Sequence, residues 1–114
     1  EYGGCIEFSA GDFRIAPLLI SQQGIRRKKL EEMKHLIGCG FSMPIIIEHS
    51  DNSDGYPVIC DGHGRARAHA ELGRYTIPSI LLSTKYKVKS TCSTFIRNAR
   101  IIGYKSVRHL EVYD

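Results

Sequence analysis

Eight residues near the middle of the chain, Val58-Ile59-Cys60-Asp61-Gly62-His63-Gly64-Arg65, leave few ways to fold. The apolar start of this stretch reads as a buried strand. It meets a turn with glycine at every second position. An alanine-rich segment, Arg65 to Leu72, then follows without a linker and stops at Gly73, so a packed helix is expected there. A strand feeding a helix in this way leaves the N–H groups of the first helical turn without partners, at the positive end of the macrodipole. Gly62 and Gly64 have no side chain to keep a phosphate away from those donors. Arg65 adds a permanent charge with forked donors. Asp61 to Arg65 is therefore a candidate anion site, although its spacing is neither that of a Walker loop nor that of a dinucleotide-binding fingerprint.

The flanking segments supply the rest of a small fold. Ile6 to Phe8 reads as a short edge strand, and Phe13 to Ile20 as a strand or extended turn interrupted by Pro17. Ser21 to Gly24 is a loop. Leu30, Met33, Leu36 and Ile37 recur near the helical period, which predicts a helix over Arg26 to Ile37 that Gly38 and Gly40 end. Ile45 to Glu48 and Tyr56 to Cys60 form a predicted hairpin whose tip is the turn-rich 49–55. Ile77 to Leu82 is a further strand, Ser93 to Ile102 a helix, and Lys105 to Tyr113 another helix or a frayed end. At 114 residues the chain has room for a single domain, and the mixed order of elements predicts an α/β (α+β) class.

Charge is distributed unevenly. The net charge of +4 is mild, yet no Asp or Glu occurs between Leu72 and Leu110. That window holds Arg74, Lys85, Lys87, Lys89, Arg97, Arg100, Lys105 and Arg108, and a second cluster runs from Arg26 to Lys29. The asymmetry points to a polyanionic partner, either nucleic acid or a phosphorylated ligand. Tyr75, Tyr86 and Tyr104 interleave with these cations, a pattern that suits stacking on single-stranded nucleic acid. The four cysteines have no zinc spacing, and Cys39 and Cys60 sit in surroundings expected to bury free thiols. A reducing, cytoplasmic setting is the expectation from this usage. The longest apolar run, Ile15 to Ile20, is too short to cross a bilayer. No cationic, apolar leader opens the chain, which starts on Glu1 as a cut or processed fragment would.

The run Asp61-Gly62-His63-Gly64-Arg65-Ala66-Arg67-Ala68, then Glu71-Leu72-Gly73 and Ile77-Pro78, resembles the ParB/sulfiredoxin-like domain. That family has a G-x-x-R box at a strand-to-helix turn, an Ala-rich helix ending in Leu-Gly, and a strand opening on Ile-Pro or Val-Pro. Upstream, Gln22-Gln23-Gly24-Ile25-Arg26, Leu30-Glu31-Glu32-Met33 and Gly40 with Pro44 to Ile47 look like its first box, helix and hairpin strand. The likeness covers about 13–82 and leaves 83–114 as a C-terminal helical extension.

This resemblance implies a nucleotide (CTP, ATP or ADP) with Mg²⁺ as ligand, bound by Gly62, His63, Gly64 and Arg65, with Gln22, Gln23 and Arg26 lining the same cleft. The D-G-H-x-R branch of the family is the nearest match. There His63 and Arg65 would contact phosphates, and Asp61 would hold the metal or orient His63, which makes His63 and Asp61 the catalytic candidates. The implied role is a DNA-associated regulatory module with nuclease or NTP-hydrolysing activity. The alternative is a kinase for a small metabolite of the free-serine type. Departures from the family pattern matter here. His63 stands where sulfiredoxin has its reactive Cys, which argues against that reductase activity. The loop from Ile20 to Ile25 lacks the Glu that serves the kinases as base. DNA or RNA and a second copy of the chain remain open as partners, and no membrane contact is expected.

Overall fold

The structure, a computed structural model, describes residues 5–50, 56–85 and 93–114. Part of the predicted turn at 49–55, and Tyr86, Lys87, Lys89 and Cys92, lie outside the described residues.

The element order is β1 (Cys5–Arg14), β2 (Gly24–Arg26), α1 (Arg27–Gly38), β3 (Ile45–Ser50), β4 (Val58–Asp61), α2 (His63–Glu71), β5 (Thr76–Lys85), α3 (Thr94–Ile102), a 3₁₀ turn (Val107–His109) and β6 (Glu111–Tyr113). Four strands form a mixed sheet in the order β1-β5-β3-β4. Within it β3 runs parallel to β5, while β1–β5 and β3–β4 are antiparallel. A two-stranded parallel sheet joins β2 to β6. The fold is α+β, with α1 and α2 packed on each other. No described helix is long and apolar enough to cross a membrane.

The core gathers Ile45, Ile47 and Ile59 from the hairpin, Ile77 from β5, Leu30 and Ile37 from α1, and Ala66 and Ala68 from α2. The small side chains on α2 let it approach α1 and the sheet closely. Leu18 and Ile20 join the same core, so the Pro17 segment is an inward-packed connector between β1 and β2, not a strand.

Three expectations need correction. β1 extends to ten residues, far beyond Ile6 to Phe8. Its Ser9-Ala10-Gly11-Asp12 centre has low strand propensity, and continuous pairing with β5 from Cys5–Lys85 to Arg14–Thr76 overrides it. The tail is not simply helical. α3 forms, but after Gly103 the chain makes a 3₁₀ turn and then β6, with Val107 and Leu110 in the main core. Cys39 is exposed rather than buried, at the C-cap of α1.

Candidate functional site

The Gly-spaced turn is built as β4 enters α2. Gly62 caps the helix at φ 104°, a left-handed conformation that favours glycine. Space makes the same demand: a Cβ there would lie 2.5 Å from Ile45 Cγ2 and 2.9 Å from Arg65 Nη2. Gly64 differs, since a Cβ on it would meet nothing within 4 Å. Its bareness keeps a surface open.

That surface is one wall of a cavity of about 420 Å³. The first turn of α2 lines it with Gly62, His63, Gly64 and Arg65, and Arg26 and Lys29 line it from the start of α1. The first turns of both helices therefore meet here, and neither contains an acidic residue. Cations at a helix N-terminus oppose the macrodipole, each by about 0.3–1 kcal/mol. Arg26, Lys29 and Arg65 are thus gathered where the backbone already disfavours positive charge.

Arg65 is the most constrained of them. Its side chain is 13% exposed, and Nη2 donates to Asp61 Oδ2 at 3.2 Å and to the Pro44 carbonyl at 3.4 Å. Nε is buried and has no acceptor among the described residues. A buried, unsatisfied donor costs about 1–3 kcal/mol. A ligand oxygen reaching it would recover that cost.

His63 has a different surrounding from the one expected of a phosphate ligand. It borders the cavity but is only 5% exposed. The Ser21 N–H donates to His63 Nε2 at 3.0 Å, and the Ser21 hydroxyl donates to the Ile59 carbonyl at 2.6 Å. Burial lowers the imidazole pKa to about 4, against a smaller upward pull from Asp61. The ring is therefore neutral at pH 7, with Nε2 as acceptor and the proton on Nδ1. In this geometry it pins the loop that begins at Ser21 to α2 and brings no cation to a phosphate.

The remaining expected residues divide. Gln22 lines the cavity and donates from Nε2 to the Gly24 carbonyl at 3.0 Å. Gln23 does not line it: its side chain is exposed, and its carbonyl accepts from Glu111 N at 2.9 Å across the β2–β6 pair. Arg67 lies off the site. Its Nη1 donates to the Leu110 carbonyl at 2.7 Å and its Nε to Glu71 at 2.6 Å, which ties the tail to α2.

Four further lining residues, Lys29, Met33, Cys60 and Tyr113, are not among the site residues that the sequence pattern singles out. Tyr113 arrives on β6, where the Arg26 guanidinium sits 5.7 Å from its ring centroid. The close approach depends on Gly24, where a Cβ would lie 2.8 Å from Tyr113 Cε1. Burial, then the Glu48 and Asp61 charges, push the Cys60 thiol up to about 12, so it stays protonated and poorly nucleophilic.

Asp61 is the one carboxylate among the lining residues, and Arg65 already engages it. No group of three metal-ligating side chains occurs among the described residues. This set fits a Mg²⁺ ion arriving on the phosphates of its ligand, with one carboxylate to meet it, better than a metal caged by protein alone. For phosphotransfer, the loop before β2 carries no carboxylate or imidazole to act as general base, and its Ser21 hydroxyl donates to Ile59.

No protein-family model matches the chain, and no curated protein matches it. Solved structures similar in fold include two of uncharacterised proteins. Protein Atu1540 from Agrobacterium tumefaciens aligns with a TM-score of 0.68 at 9% identity, over 92% of this chain and 62% of that one. A conserved hypothetical protein from Pyrococcus furiosus aligns with a TM-score of 0.56 at 22% identity, over 65% of this chain and 32% of that one. The chain spans less than two thirds of either protein, and at these identities the likeness is one of fold.

Proposed function

We propose that this chain is a ParB/sulfiredoxin-like domain that binds a nucleotide, or another compact phosphorylated ligand, in the cavity at Asp61 to Arg65. It would act as a DNA-associated regulatory module. One observation supports this above the others: two helix N-termini and three cations, Arg26, Lys29 and Arg65, converge on one cavity that a single carboxylate lines. An anion bound there would offset the gathered positive charge. When bound, Mg²⁺ would screen the ligand's own phosphate charge, with Asp61 the lining residue able to meet it.

Thermal melting with Mg²⁺ and each of ATP, ADP, CTP and GTP tests the reading. At least one nucleotide should raise the melting temperature, by about 2.7 kcal/mol of stabilisation at a hundredfold excess over Kd. Arg65→Ala should abolish the rise. Lys29→Ala should weaken it with the fold intact, since Lys29 is exposed and makes no ion pair with a described residue. No shift with any nucleotide would refute nucleotide binding, and a full shift in both variants would refute the site.

A further inference from the structure

A second basic surface lies at the other end of α2. Two cavities there, of about 470 and 480 Å³, share Arg14, Ala16 and Ser106, so they run together as one furrow. They share no lining residue with the cavity at the start of α2. Three elements that are remote in sequence supply its cations. Arg14 ends β1, Arg74 follows α2, and Arg108 lies in the 3₁₀ turn. No acidic residue lines either half. All three arginines are exposed, and none forms an ion pair with a described carboxylate. Arg74 is held in place by His69, whose Nδ1 lies 3.3 Å from Arg74 Nη1.

Tyrosines line the same furrow: Tyr75 at 84% exposure, and Tyr56 and Tyr104 at its other half. An aromatic ring left in water at 84% exposure gives up most of what burial would contribute. Tyr104 is also the one non-glycine described residue with positive φ, at 56°. Such a conformation costs a non-glycine residue about 1–2 kcal/mol. Within the chain, this strained backbone sets a tyrosine at the wall of a basic furrow.

We infer that this furrow binds single-stranded nucleic acid, with Arg14, Arg74 and Arg108 on the phosphates and Tyr75, Tyr56 and Tyr104 as stacking platforms for bases. Forked guanidinium groups suit phosphate oxygens. Exposed rings beside them suit bases whose faces are free, and a duplex hides those faces. The surface is independent of the nucleotide cavity and does not need it.

Fluorescence anisotropy with a labelled oligothymidine tests this on the full chain. The strand should bind, with affinity falling about twentyfold between about 50 and 200 mM salt if three phosphates are engaged. Tyr75→Ala should weaken binding by about fivefold or more, and its exposure leaves the fold indifferent to the change. Arg74→Ala and Arg108→Ala should each lower the salt slope. Lys28→Ala, the same loss of charge on exposed α1, should leave binding unchanged. Excess ATP should not displace the strand. Displacement by ATP would overturn the inference by putting the strand in the α2 cavity. Equal affinity for a duplex, equal affinity for a polyglutamate peptide, or indifference to Tyr75→Ala would also overturn it.

Discussion

The two ends of α2 handle positive charge in opposite ways. At the start of the helix, charge is built into the backbone and into one guanidinium clamped between Asp61 and Pro44. Beyond its end, three arginines stand in the open with tyrosines beside them. A fixed arrangement suits a compact ligand of defined shape, because little ordering remains to be done on binding. A set of solvent-exposed charges suits a long, flexible partner and is more strongly screened by salt. Net charge alone separates neither from the other.

The two glycines at these ends give the strongest way to break that contrast. Gly62 is crowded by Ile45 and Arg65, whereas Gly73, at φ 79°, faces open space. Gly62→Ala should therefore cost about 3–4 kcal/mol in urea unfolding, from overpacking added to backbone strain. Gly73→Ala should cost about 1–2 kcal/mol, the strain alone. Equal costs would mean that the start of α2 is no more rigidly built than its end.

Acid is the second probe. The folded pKa of His63, about 4, lies below the ordinary value of 6.5. Between these values the unfolded chain binds more protons than the folded one. Stability conferred by the neutral ring should thus be lost as pH falls from about 6.5 toward 4, by up to about 3 kcal/mol. Denaturation midpoints measured across that range should be flatter for His63→Gln. Burial also lowers the pKa of His69, with Arg74 adding to it, so a residual slope of the same sign should persist in the variant.

Smaller effects sharpen the contrast. Arg67→Ala releases the tail from α2 and should cost about 1–2 kcal/mol. Hydrogen exchange at the Glu111 amide, which donates to Gln23, should accelerate in that variant. Gly64→Ala should hold stability or raise it by up to about 1 kcal/mol, since alanine favours a helix. The added methyl group should still reduce the nucleotide-induced rise in melting temperature. A gain in stability together with undiminished binding would show that Gly64 keeps nothing open.

The centre of the fold was legible because its signals are local. Apolar β3 and β4, the glycine turn and alanine-rich α2 each follow from neighbouring residues, so Gly62, Gly64, Arg65, Gln22 and Arg26 were found as cavity residues. β6 was not found, since Glu-Val-Tyr has no pattern of its own and becomes a strand only on meeting Gly24 to Arg26. In sequence, Lys29 is one of a run of cations with no distinction among them. Only the start of α1 beside α2 separates it from Arg27, whose Nε pairs with exposed Asp114 at 3.0 Å. The ring of His63 looked available because the sequence does not say that Ser21 packs against it.

The pairing of β6 with β2 also has a consequence in time. Arg27 and Asp114, which meet at the edge of this small sheet, are 87 residues apart in the chain. Contacts across so long a loop form late, because the entropy of closing the loop is lost before the contact returns anything. The β2–β6 wall of the cavity at the start of α2 should therefore be among the last parts of the protein to assemble, both on refolding and as the chain emerges from the ribosome. A ligand that needs Tyr113 in place would recognise only molecules that have finished folding.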